Sequence, residues 1–87
     1  MSADQKQVGG DHYQTKIQHH EFVRENKIPW HEGCAIKYIV RHERKNGIQD
    51  LLKAVHYIFL MLPFVYSEDK VKQFYRELRA LLPDEEE

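Results

Sequence analysis

A single cysteine, Cys34, stands among the 87 residues of this chain. That excludes an intramolecular disulfide framework and leaves no Cys-x-x-Cys pair for zinc. The usage fits a reducing compartment, so a cytoplasmic location is expected. The opening segment MSADQKQVGG is polar, and no signal peptide is expected. Long apolar runs are also missing: Ile58–Tyr66 is nine residues broken by Pro63, short of the ~20 that a membrane-spanning helix needs. No internal repeat occurs, and the only low-complexity stretch is the acidic end. Nor is there an excess of charge of one sign: 13 Lys+Arg against 14 Asp+Glu give a net charge of −1, which argues against a polycation that coats nucleic acid.

That balance hides a local asymmetry. Asp84, Glu85, Glu86 and Glu87 are grouped at the end; without those four, the body holds 13 basic and 10 acidic residues. The 41% hydrophobic content supports a folded core. A domain this short buries only about 60% of its unfolded surface, and association into a homo-oligomer is an expected way to supply the remainder.

The chain divides into an N-terminal arm over residues 1–8, a single domain over 9–83 and the acidic tail 84–87. Periodicity predicts a small all-α domain of about four helices around an antiparallel hairpin. A first helix spans 17–26. A second spans about 31–45, with Ala35, Ile36, Ile39 and Val40 on its core face. Asn46-Gly47 stops it, with glycine suited to a C-cap. The third runs over about 48–62, with Leu51, Leu52, Val55, Ile58, Phe59 and Leu62 as its apolar face, and Pro63 ends or kinks it. Ser67 is the expected N-cap of a fourth, on which Val71, Phe74, Tyr75, Leu78, Leu81 and Leu82 repeat at helical steps. Sustained period-two alternation is absent, so no sheet is expected.

Two stripes carry possible chemistry. Lys37, Arg41, Arg44 and Lys45 share one face of the second helix, with Tyr38 at its edge. Asp50, Lys53 and Tyr57 form a stripe on the third, with Ala54 between them. In an antiparallel hairpin both stripes can face one cleft. Its Lys and Arg suit phosphate, and its tyrosines can stack on a base. The bland alternative is a pair of solvated, ion-paired helix faces. A second candidate is Gly9-Gly10-Asp11-His12-Tyr13, where consecutive backbone N–H groups can nest an anion and His12 can donate to it or move a proton; an ordinary turn is the alternative. No P-loop pattern exists. The six histidines lack the H-E-x-x-H spacing, so neither a metal site nor a cofactor is expected. Cys34 reads as a small packed residue. Met61, Phe64, Val65 and Tyr66 read as core or as a subunit interface.

Val8-Gly9-Gly10-Asp11-His12-Tyr13, Gly33-Cys34-Ala35-Ile36-Lys37-Tyr38-Ile39-Val40-Arg41, and Lys45-Asn46-Gly47-Ile48-Gln49-Asp50-Leu51-Leu52-Lys53-Ala54 with Tyr57 together resemble the SaV-like family of small bacteriophage proteins. The resemblance covers residues 8–57. It implies a phage protein acting in the bacterial cytoplasm; one phage relative is described as a nucleoside monophosphate kinase, and others are linked to host abortive-infection defence. The positions matching the pattern are His12, Tyr13, Lys37, Tyr38, Arg41, Lys45, Asp50, Lys53 and Tyr57. The chain departs from the pattern at Cys34, where the family usually has Asn, and near His19, where Pro is frequent.

Three functions therefore stand open. One is a protein that binds, and so sequesters, a phosphorylated nucleotide or a nucleotide-derived defence signal, with Gly9, Gly10, His12, Tyr13, Lys37, Tyr38, Arg41, Lys45, Asp50, Lys53 and Tyr57 as ligand-binding residues. The second is a small nucleoside monophosphate kinase, with Asp50 or His12 orienting the acceptor. The third is a phage protein that docks on a host protein through the Pro63 patch or the acidic tail. Membrane and duplex DNA are not expected partners.

Overall fold

The computed structural model describes residues 16–84 and is all-α, with no strand among the described residues. The Gly9–Tyr13 motif, the N-terminal arm and Glu85–Glu87 lie outside them. Four helices follow one another: α1 (His19–Glu25), α2 (Trp30–Arg41), α3 (Ile48–Val65) and α4 (Glu68–Leu81), with a 3-10 turn at His42–Arg44 between α2 and α3.

Local chemistry accounts for the boundaries. At the start of α1 the Gln18 N–H donates to Glu21 Oε1 at 3.3 Å, half of a capping box. Pro29 precedes α2 in extended conformation, where its missing N–H costs nothing. The expected second helix runs on to Lys45. Its last turn instead tightens to 3-10 after Arg41, and Gly47 closes the turn at φ 58° while its N–H donates to His42 O at 2.8 Å. A positive φ is cheap only for glycine. The third helix passes its expected end: Pro63 lies inside α3, which continues to Val65. The Ser67 cap is formed, with Oγ accepting the Lys70 N–H at 3.3 Å and Glu68 and Asp69 in the first turn.

α2 and α3 form the antiparallel hairpin on which the rest is built. Their contact is close because it is made by small residues: Ala35 and Ala54 are buried at it. A row of rings continues it, with Tyr38 stacked on Tyr57 at 5.9 Å, His31 tilted against Tyr57 at 6.4 Å and stacked on Phe64 at 5.4 Å. α1 crosses α2 at Gly33, where an added Cβ would come within 3.3 Å of Val23 Cγ2.

The helix faces differ from those the apolar spacing predicts. Ile39 and Val40 are about half exposed, and so are Leu52 and Val55. α2 meets α3 through His31, Ala35, Tyr38 and Arg41; Ile36 lies between α1 and α3, and Val40 turns toward α1. The reason is the polar contact described below, which sets the rotation of both helices about their axes. α4 touches α3 near Phe59 and Tyr75, whose rings meet edge-on at 5.4 Å. Among the described residues, buried apolar side chains are few: Ala35, Ala54 and Leu62.

α3 is also long and apolar enough to cross a membrane by length and composition, with mean hydropathy 1.4. The nine-residue run understates it, because Ile48–Tyr57 belongs to the same helix, which Pro63 does not end.

Ser67→Ala removes the side-chain acceptor at the α4 N-terminus. The expected cost is about 1 kcal/mol, read as a fall of roughly 4–8 °C in the thermal midpoint by circular dichroism.

Candidate functional site

The turn between α2 and α3 places one fully buried carboxylate. Asp50 is 0% exposed, and no other polar or charged side chain among the described residues is buried. Arg41, 13% exposed, reaches it across the hairpin. Arg41 Nε donates to Asp50 Oδ2 and a terminal guanidinium nitrogen donates to Oδ1, both at 3.1 Å. The Asn46 N–H donates to Oδ2 at 3.1 Å. Such a two-pronged fork is the strong form of an ion pair. The hydrogen bond from Arg41 holds the Asp50 carboxyl below its ordinary value, against the opposing pull of burial, and the Asn46 N–H adds to the lowering. Asp50 therefore lies beneath the cluster with its oxygens taken, rather than on an open cleft wall as the stripe implied.

Above this pair stands the Tyr38 ring. Arg41 lies over it at 4.7 Å, Lys53 at 5.3 Å and Lys37 at 5.6 Å, measured to the ring centroid. Three cations gather at one aromatic ring, each stabilised by its quadrupole. They come from two helices: Lys37 and Arg41 are one turn apart on α2, and Lys53 is one turn beyond Asp50 on α3. Asp50 offsets one of these charges, so the cluster as a whole stays positive. Tyr57 packs on the Tyr38 ring at an interplanar angle of 11°. Its phenol is pushed above the ordinary value, first by the electrostatic influence of Cys34, then by burial and Tyr38, and also by a hydrogen bond with Cys34. Cys34, half-buried, is thus a neighbour of the site through Tyr57. Lys45 lies on the exposed turn after the 3-10 segment. Of the positions named from the sequence, the structure brings together Lys37, Tyr38, Arg41, Asp50, Lys53 and Tyr57. Gly9, Gly10, His12 and Tyr13 fall outside the described residues.

Next to the cluster lies a groove of about 360 Å³ between α1 and α2, lined by Ile17, Phe22, Ile36, Val40, His19, Lys16 and Lys37. That volume is within the range of small-molecule sites. Burial, followed by the nearby charge of Lys37 and then His20, lowers the His19 pKa, so the imidazole there favours the neutral form. Lys37 belongs to both features: it borders the groove and stands over the Tyr38 ring. Hydropathy alone places Ile36 and Val40 on a core face, which hides the groove. Gly33 is the residue that signals it, since a glycine inside a helix marks a close approach, here that of α1. No group of three or more His, Cys, Asp or Glu able to hold a metal occurs among the described residues.

A small all-α protein with a cationic, aromatic cluster on a helical hairpin is the class that these features define. The chain belongs to DUF3310, a family of proteins of unknown function, which it matches over residues 8–59. The match takes in α1, α2, the Arg41–Asp50 pair, Tyr38 and Tyr57, and stops before α4. No curated protein and no solved structure matches the chain.

Because the Asp50 carboxyl is lowered in the folded chain, its contribution to stability is present above the ordinary value of 3.8 and is lost as pH falls through the folded value. Asp50→Asn should melt at least several degrees below the wild type at pH 7. The gap between the two midpoints should narrow as pH is taken below 3.8. A gap that stays constant with pH would show that the pair is not what the substitution removes.

Proposed function

We propose that the protein binds a phosphorylated nucleotide or a nucleotide-derived host defence signal, holding it without turnover as a phage counter-defence protein would. The observation that carries this reading is the position of Lys37 between two unlike surfaces. On one side is an apolar groove that can take a flat base or sugar; on the other are the cations over Tyr38, which suit a phosphate. A ligand with one apolar end and one anionic end matches that pairing. Lys53 supplies the second ammonium, and Arg41 contributes its positive field while remaining bonded to Asp50.

The kinase alternative draws no support from the geometry. Asp50, one of its two candidate acceptor-orienting groups, is buried and engaged by Arg41 and Asn46, and no P-loop is present to hold a phosphate donor.

Titration calorimetry against mono-, di- and cyclic nucleotides should give heat of binding for at least one class. Lys37→Ala and Lys53→Ala should each weaken it by roughly tenfold or more, the worth of one charge-assisted hydrogen bond. Absence of binding at millimolar ligand overturns the proposal.

A further inference from the structure

His19, the first residue of α1, belongs to the walls of two cavities. With Lys16 and Lys37 it lines the groove between α1 and α2. It also lines a second cavity of about 250 Å³, together with His20 and Arg24 of α1 and Trp30 and Cys34 of α2. Its side is half-buried, so part of the ring is open to whatever enters. The fixed charges on these walls are all positive: Lys16 before the helix, Arg24 on it and Lys37 from α2. His20 and Cys34 are the other titratable neighbours. Among the described residues, no carboxylate lines either cavity. Glu21, two residues on, turns back to accept the Gln18 N–H, and Glu25 lies along Arg24 at 3.8 Å. In that company the imidazolium is disfavoured: burial, then Lys37, then His20 lower the pKa of His19.

We propose that His19 is a phosphate-binding residue of the groove: it takes one proton from solvent as a nucleotide enters and donates it in a hydrogen bond to the phosphate held by Lys37. This rests on the nucleotide reading above. A phosphate drawn to Lys37 cancels the larger of the two charge effects that oppose the imidazolium, and it places an anion beside the ring. The neutral ring carries one N–H and one acceptor nitrogen, whereas the protonated ring carries two donors, which is what phosphate oxygens require. A charge-assisted bond is also roughly twice as strong as a neutral one. Enclosure by the nucleotide acts the other way, because it strips water from the ring. Direct contact with an anion outweighs this, since burial is already the largest cause of the lowering in the free protein. No bond of the nucleotide breaks. The consequence is selectivity: a nucleoside without phosphate leaves the ring neutral and gains nothing from it.

Titration calorimetry of the full chain with nucleoside monophosphates, diphosphates and cyclic monophosphates, run in two buffers of different ionisation enthalpy, counts the protons taken up. The ratio of wild-type to His19→Gln affinity should rise by roughly threefold or more from about pH 8 to about pH 6, below the ceiling of about tenfold per pH unit for one linked proton. The proton of the phosphate itself, with a pKa of about 6, is common to both proteins and cancels in that ratio. His19→Lys, a fixed cation, should bind well at the higher pH and take up no proton at this position. A merely structural role predicts instead that both substitutions weaken binding alike at every pH. The wild type alone gives a second measurement, free of any variant: the His19 ring resonance should titrate at higher pH with the nucleotide bound than without it. A ratio that stays flat with pH, or a His19 titration that the nucleotide does not raise, overturns this proposal alone. No heat from any of these compounds at either pH overturns the nucleotide reading and this proposal with it.

Discussion

The contact between Arg41 and Asp50 determines how this molecule is put together. Burying a charge pair gains little net stability over a well-packed apolar pair. What it contributes here is uniqueness of arrangement. Asp50 has no tolerable position except under Arg41 and the Asn46 N–H. Satisfying it fixes the rotation of α2 and α3 and the path of the intervening turn together. Ala35 and Ala54 then allow the backbones to approach, and Tyr38 and Tyr57 are brought into register as a stacked pair. The cations over Tyr38 follow from the same placement. The carboxylate that could have neutralised the cluster at its surface is withdrawn beneath it, which keeps the exposed side positive.

Economy of size runs through the rest. A protein whose described buried apolar residues include two alanines and a leucine cannot rest on a thick core. It relies on close backbone approach at Gly33, Ala35 and Ala54, on ring stacking and on charge. No buried side-chain nitrogen or oxygen among the described residues lacks a hydrogen-bond partner, so the few polar groups taken from water are accommodated. The large aliphatic side chains are spent on peripheral surfaces: the groove beside α1 and the exposed faces of α3 and α4.

Much of the helix plan was legible in the residues. Asn46-Gly47 and Ser67 mark their boundaries through specific backbone needs, a positive φ and an orphaned N–H, and such needs are local. The stripe of Lys37 and Arg41 with that of Lys53 and Tyr57 was legible for the same reason, since helical spacing alone sets which side chains share a face. Which face meets which partner is not local. Ile36, Ile39 and Val40 look like a core face by hydropathy, but the rotation is set by Asp50, a residue that hydropathy assigns to solvent. The i,i+9 relation of Arg41 and Asp50 spans a turn whose geometry only the folded chain supplies. The groove was illegible because it depends on α1, a helix of seven residues whose docking is decided by the missing side chain at Gly33.

Pro63 has a mechanical consequence. Lacking an N–H, it cannot bond the carbonyl of Phe59, so α3 is missing one rung of its ladder. The turn that follows is held from outside instead: Phe64 stacks on His31 of α2, while Tyr75 of α4 meets Phe59 on the other side of the missing rung. Two ring contacts thus splint the joint that the backbone leaves weak. The path of the chain from α3 into α4 depends there on side chains rather than on the ladder.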